Sequence, residues 1–558
     1  MHPIAWMVVG AYSAVSLFLG LFLARRASQG VESYFAGNRA IPWWLAGTSM
    51  AATAFSSDTP LLVTGITRSR GLWGNWEIWS LAVSTMLAVF VFSKLWKRSG
   101  VLTEVEFVEL RYGGKSASFL RGFKALYWGI FYNAFIIGAW PITGLVKVMQ
   151  ETTGWGKAES IFFSLGLTVV YTSLAGYLGV VLTDLFQFVW AMAGAVILAC
   201  YALHAAGGAP GLVEKLGDTG KLSFLPPAES ASWFAGLFLI QWWAWKNADG
   251  GGLAVQRMVS TKDERESMRS MLWFNVAHYV LRSWPWVLTG LASLVLIPDS
   301  LLTITEGGRT FIDHERAYPR LITMLLPAGL RGVLVASFFA AFMSTVDSQL
   351  NWGASYFVND FYRRFVKKKA SESHYVLVSR MVPLFLAGLA AAVAFHIRSI
   401  GQIFTLVLNL TAGVGPVYLL RWFWPRVNAW SEIAAMSAAL PLILLRARAL
   451  EALGVPADPL FQLIYMVAGT ALIWLPATWF LGPGPSEGVA RFFRRVTPAD
   501  TFRKSAQSWL VATAALLATL IGPVEIFFGR WQTGIGSLAL ALGGWVYALR
   551  KDRISGPS

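Results

Sequence analysis

Long apolar runs separated by short polar connections make up most of the chain. Fifteen stretches are apolar enough to cross a bilayer: 4–25, 42–67, 72–97, 118–150, 159–179, 181–205, 232–248, 267–296, 331–361, 374–397, 401–424, 428–448, 461–481, 506–528 and 532–549. A crossing takes about 20 residues, so these spans consume much of the length. Two of them interrupt their own pattern. The second carries Ser56-Ser57-Asp58-Thr59-Pro60 at its middle, where proline removes a backbone hydrogen bond. The seventh ends in Lys246-Asn247-Ala248-Asp249-Gly250-Gly251-Gly252, a run poorly suited to helix. Broken helices at membrane depth are tolerated where the freed carbonyls line a cavity or hold an ion. The plain alternatives are packing kinks and, for the glycines, an ordinary loop.

The ninth span contains the densest chemistry. Residues 340–351 read Ala-Ala-Phe-Met-Ser-Thr-Val-Asp-Ser-Gln-Leu-Asn, between apolar runs on both sides. Positions three and four apart share a helix face. Ala341, Ser344, Thr345 and Ser348 therefore form one stripe, with Asp347 at its edge. Such oxygens do not face lipid without cost, and a small hard cation is a suitable partner. Bonding of Ser344 and Thr345 back to their own helix is the alternative.

Composition narrows the class. With 558 residues, 56% hydrophobic and 14% charged, the chain is too apolar for a soluble enzyme of its size. The first run reads as a span, not a cleavable signal peptide. Cys200 is the single cysteine, which excludes a disulfide within the chain. The net charge of +16 is read as membrane topology, with no nucleic-acid partner. Basic clusters follow the odd spans: Arg25, Arg26 and Arg39; Lys94 to Arg121; Lys246 to Arg269; Arg363 to Lys369; Arg421 and Arg426; Arg491 to Lys504; and Arg550 to Arg553. This places the N-terminus outside and the C-terminus in the cytoplasm of a multi-pass protein of the cell (inner) membrane. Arg68 and Arg70 break the pattern. The connections 207–232 and 299–319 are expected as exterior loops with short helices. No metal cluster, nucleotide loop or nucleophile elbow stands out, so no enzyme is expected.

Several pieces together resemble the sodium/solute symporter family, which includes bacterial sodium/proline and sodium/sugar symporters. They are Ser33-Tyr34-Phe35-Ala36-Gly37-Asn38-Arg39, Thr183-Asp184-Leu185-Phe186-Gln187, Gln256-Arg257, residues 340–351 and Trp424-Pro425-Arg426-Val427-Asn428. The resemblance covers about residues 1–430. It implies an all-α polytopic membrane protein with a LeuT-type 5+5 inverted-repeat core and alternating access. On that reading residues 1–30 are an extra N-terminal helix. The core is 42–425, with repeat one at 42–205 and repeat two at 232–425, and 426–558 are additional C-terminal helices. The family's main sodium site maps to the side chains of Ser344 and Thr345 and the carbonyls of Ala341, Ala52 and Phe55. A second sodium, held by some members, maps to Asp184, Ser344, Asp347 and Ser348. Asp184 alternatively caps a helix start, and Asp347 is a carboxylate where a neutral residue is expected, able to serve an ion or a proton.

For the solute, Glu77 on the third span aligns with a sugar-contacting glutamate of sodium/galactose members, and Ser80 matches a second contact. Glu77 alternatively lies solvated at the outer end of its span. Asp58 and Thr59 would face the same cavity, and Trp243 would gate or stack on the solute. His278 and Arg282 lie four apart on the eighth span; one serves the substrate, or they pair with Glu77 or Asp58. The gating tyrosine and asparagine of sugar members have no recognisable counterpart on span seven. The expected solute is therefore a sugar, an amino acid or an organic acid, carried with Na+ and without an organic cofactor by a monomer in the bilayer. A proton-coupled carrier and a non-transporting sensor are the rival readings.

Overall fold

Helix dominates the apolar runs, because a chain away from water must satisfy its backbone internally. The computed structural model describes residues 1–24, 39–306, 309–455, 458–482, 484, 486–497 and 501–554. Arg25, Arg26 and the motif residues 33–38 lie outside them. Among the described residues, eight helical stretches are long and apolar enough to cross a membrane: Leu72–Ser99, Gly114–Thr153, Gly179–Ala205, Ala328–Val366, Glu372–Ala394, Ala429–Ala452, Pro459–Phe480 and Ser505–Phe527.

Two expectations change. The spans drawn at 159–179 and 181–205 are one continuous 49-residue helix, Lys157–Ala205. No proline occurs in it to break the ladder. The connection 299–319 holds more than short helices. Strand Thr303–Glu306 pairs antiparallel with Arg309–Ile312, in the register Thr303↔Ile312 and Ile304↔Phe311. Their alternating β-branched and polar residues suit a hairpin.

The chain divides into two compact units. One comprises Met1–Asn75, Ala125–Leu225 and Val276–Ile403; the other comprises Trp76–Lys124, Pro226–Asn275 and Phe404–Ser558. In the first, the helices Pro3–Ala24, Lys157–Ala205 and Ala328–Ser355 pack on one another. The exceptional Arg68 belongs to this unit and is 3% exposed. Its guanidinium donates to the Ile297 carbonyl at 3.0 Å and to Asp299 at 2.6 Å. Arg68 thus ties the helix Thr59–Arg70 to the 293–299 segment, and its charge is held inside the fold.

The second unit buries a network of six charged side chains. Arg421 reaches Asp249 at 2.7 Å, Glu432 at 3.3 Å and Glu104 at 3.5 Å. Lys124 reaches Glu432 at 2.9 Å, and Lys246 is buried within electrostatic reach of Glu104 and Asp249. Three acids balance three bases, as burial requires. Lys246 and Arg421, read from sequence as topology charges, are therefore interior residues.

Candidate sodium site

The second span is broken where its sequence breaks. Its first half-helix, Trp43–Thr53, ends as the Ala54 N–H turns back to the Met50 and Ala52 carbonyls. A second half-helix, Thr59–Arg70, then begins with Pro60 in its first turn, where a missing N–H leaves no helical bond unmade. The intervening chain is held from the side. Ser57 donates to the Pro141 carbonyl at 2.6 Å. A Cβ on Gly144 would stand 2.5 Å from the Asp58 nitrogen, so only glycine admits this approach.

Against the end of the first half-helix lies the stripe of Ala328–Ser355. Ala341, Ser344, Thr345, Asp347 and Ser348 are all buried there. The Thr345 hydroxyl donates to the Thr53 carbonyl at 2.8 Å and lies 3.5 Å from that of Phe55. The Ser344 hydroxyl donates to Asp184 at 2.7 Å. These two hydroxyls reach across to other segments, in place of bonding back to their own helix. Asp184 accepts a second hydroxyl, from Ser49, at 2.5 Å. It lies deep inside Lys157–Ala205, so it is no helix cap. Thr53 donates to the Ser348 hydroxyl at 3.0 Å. Ala52 lies in the last turn of the half-helix, and its carbonyl accepts from the Phe55 N–H at 2.9 Å. Ala341 sits one turn before Thr345.

This arrangement offers oxygen alone. Carbonyls at the C-terminal end of a half-helix carry the negative end of its dipole. Neutral hydroxyls close by add ligands of the kind a hard cation takes. The residues present fit a bare sodium ion.

The solute candidates are divided between the units. In the first unit, Asp58 is 6% exposed, and its Oδ1 has no hydrogen-bond partner among the described residues. Thr59 accepts from the Ser56 N–H at 3.2 Å. Arg282 binds His278 at 2.9 Å between side chains, lies 3.4 Å from the Ala51 carbonyl, and stands over the Trp286 ring. It acts on Asp58 through space, without a direct ion pair among the described residues. In the second unit, Glu77 is 8% exposed, buried instead of solvated. Its carbonyl accepts from Gln241 at 2.8 Å, and Ser80 lies 3.5 Å from the same amide. The Trp243 indole donates to the Leu239 carbonyl of its own helix, and its ring packs near Leu463 and Met466.

The chain matches the Sodium:solute symporter family over residues 34–439. It belongs to that family. Rat sodium/glucose cotransporter 2 is 26% identical over 473 residues, covering 76% of this chain and 69% of that protein. The Vibrio parahaemolyticus sodium/glucose cotransporter is 25% identical over 468 residues, covering 78% and 84%. Among solved structures, a substrate-bound, outward-open Na+-coupled sialic acid symporter superposes with a TM-score of 0.71 at 19% identity. That match covers 87% of this chain and 100% of the other. The protein is thus a multi-pass membrane symporter, not an enzyme, and shares the fold of that structure.

Within this family member, three functional-looking residues escaped sequence reasoning. Ser49 and Thr53 lie four apart on the first half-helix, so their shared face was legible in principle. Gln241 stands before the Trp-rich segment and carried no periodic signal. The charged network escaped for another reason. Glu104, Lys124, Asp249, Arg421 and Glu432 are far apart in the chain, and only the fold assembles them.

Proposed function

We propose that this symporter couples inward movement of Na+ to import of a small polar organic solute by alternating access. The observation that carries the reading is the Thr345 hydroxyl lying against the Thr53 and Phe55 carbonyls at the break of the second span. Sodium bound by Ala52, Phe55, Ala341, Ser344 and Thr345 would tie the long helix to the half-helix and favour the solute-ready state. Asp184, through its bond to Ser344, orients one of these hydroxyls. Loss of the ion would let the two segments part.

The driving force is adequate. One charge crossing 100 mV yields about 2.3 kcal/mol, and a tenfold sodium ratio about 1.4 kcal/mol. Together they support a solute gradient of several hundredfold. Linkage requires sodium to tighten solute binding by the factor by which solute tightens sodium binding.

Sugars head the solute classes, on two supports: the names of the relatives and the buried Glu77 beside Ser80 and Gln241. Amino acids and organic acids follow. Asp58, Thr59, His278, Arg282 and Trp243 complete the candidate set. The proposed topology keeps the N-terminus outside and the C-terminus in the cytoplasm, around two repeats at 42–205 and 232–425.

The test is uptake of radiolabelled glucose, galactose, proline and lactate into proteoliposomes holding the full chain, under an inward sodium gradient. Concentrative uptake of one solute that collapses when choline replaces sodium supports the reading. Uptake driven equally by a pH step without sodium contradicts it.

A further inference from the structure

Five bases stand close together where the ninth span ends: Arg363, Arg364, Lys367, Lys368 and Lys369. They form the corner between Ala328–Val366 and Glu372–Ala394, two stretches long and apolar enough to cross a membrane. The acid that follows, Glu372, pairs with Arg363 at 3.1 Å on the surface. The three lysines are exposed, and none makes an ion pair among the described residues.

The corner is clamped from both helices. The buried Tyr375 hydroxyl donates to the Lys367 carbonyl at 2.6 Å and accepts from the Ala370 N–H at 3.2 Å. The Tyr362 hydroxyl bonds His374 at 3.0 Å, and the Arg363 guanidinium lies 4.9 Å from the centre of the Tyr375 ring. The Ser371 side chain accepts from the His374 N–H and caps the following helix. The backbone that carries the lysines is thus set in advance, so a ligand pays little to order it.

Apolar surface runs up to these charges. Phe357, Phe361 and Phe365 stack in a row at 5.6 and 6.0 Å, and Phe365 and Val366 are exposed beside the lysines. On the next helix Leu377, Met381 and Phe385 are exposed, and their spacing puts them on one face. A soluble anion needs only the charges. A phospholipid uses both, with cations for its phosphate and an apolar stripe for its acyl chains.

We propose that residues 363–369 bind the headgroup of an anionic phospholipid whose acyl chains lie along Leu377, Met381 and Phe385. Bases clustered at the end of a membrane helix attract anionic headgroups, each adding about fivefold in affinity near the surface. A zwitterionic headgroup offers them no net charge. The proposed topology decides only the leaflet, the cytoplasmic one; the binding depends neither on it nor on sodium coupling. A lipid held there pins the end of the helix that carries Ser344 and Thr345.

The experiment is native mass spectrometry of the purified full-length protein, titrated with phosphatidylglycerol or with phosphatidylcholine of the same chains. The wild type should hold at least one phosphatidylglycerol about tenfold more tightly than phosphatidylcholine. Lys367→Gln/Lys368→Gln/Lys369→Gln should hold one fewer, while Lys367→Arg/Lys368→Arg/Lys369→Arg should keep it. Arg491→Gln/Arg494→Gln, which removes charge from the separate basic helix Glu487–Arg495, should keep it as well. Soluble glycerol 3-phosphate should not displace the lipid. An unchanged count in the glutamine variant, or the same loss in the Arg491/Arg494 variant, overturns the proposal. Displacement by glycerol 3-phosphate overturns it too, by marking a site for soluble phosphate.

Discussion

The Thr345 hydroxyl donates to the carbonyl of Thr53 across 2.8 Å, joining a long membrane helix to the end of a broken one. The bond forms because the chain leaves the helical path directly after Thr53. Removing the hydroxyl while keeping the shape isolates its role. Thr345→Val should raise the sodium concentration for half-maximal uptake at least tenfold, about 1.4 kcal/mol. Thr345→Ser should stay within a few-fold of wild type. Sodium titration of uptake by both variants checks this, and equal behaviour of the two would contradict it.

Asp184 accepts hydroxyls from Ser49 and Ser344. Asp184→Asn replaces one of the two accepting oxygens with an amide donor that faces a hydroxyl donor, leaving a buried group unsatisfied at a cost of about 1–3 kcal/mol. The sodium affinity should fall, and Ser49→Ala combined with it should cost less than the two changes added separately. A double-mutant cycle on sodium binding measures the coupling; strict additivity would exclude it.

Gly144 admits the backbone at Asp58. Gly144→Ala would place a methyl 2.5 Å from a main-chain nitrogen, which has no rotamer to yield. Uptake should be lost and the melting temperature lowered. Gly166→Ala meets nothing within 4 Å and should be neutral or stabilising by up to about 1 kcal/mol. Melting curves of the purified variants separate the two cases.

The buried network of the second unit should be brittle. Glu432→Ala takes from Lys124 its 2.9 Å partner and leaves three buried bases to two acids, and breaking such a pair typically costs about 3–5 kcal/mol. The pair Arg98–Glu264 is 31% and 40% exposed, and solvent screening limits Glu264→Ala to about 1 kcal/mol or less. Thermal unfolding of the two variants, side by side, should show a large drop for the first and almost none for the second.

Sequence carried much of this because membrane insertion simplifies the code. The break at Ser56–Pro60 was legible from a proline and a polar cluster in an apolar run. The face of Ser344, Thr345 and Ser348 followed from helical spacing alone. What spacing leaves out is the partner across the gap. Nothing local shows that Ser344 meets Asp184, 160 residues away in the chain. The hairpin at Thr303–Ile312 was hidden by its polarity, which reads equally well as loop. Charge counts misled at Arg68, Lys246 and Arg421, because burial decides whether a basic residue reports topology or fills an interior network.

The central claim is that oxygens of the second and ninth spans together hold a sodium ion. Its most direct test is the stoichiometry of 22Na+ bound to purified wild-type protein and to the Ser344→Ala/Thr345→Ala variant, both confirmed folded by gel filtration. The account predicts a loss of one sodium per chain. An unchanged stoichiometry, at unchanged affinity, would contradict it.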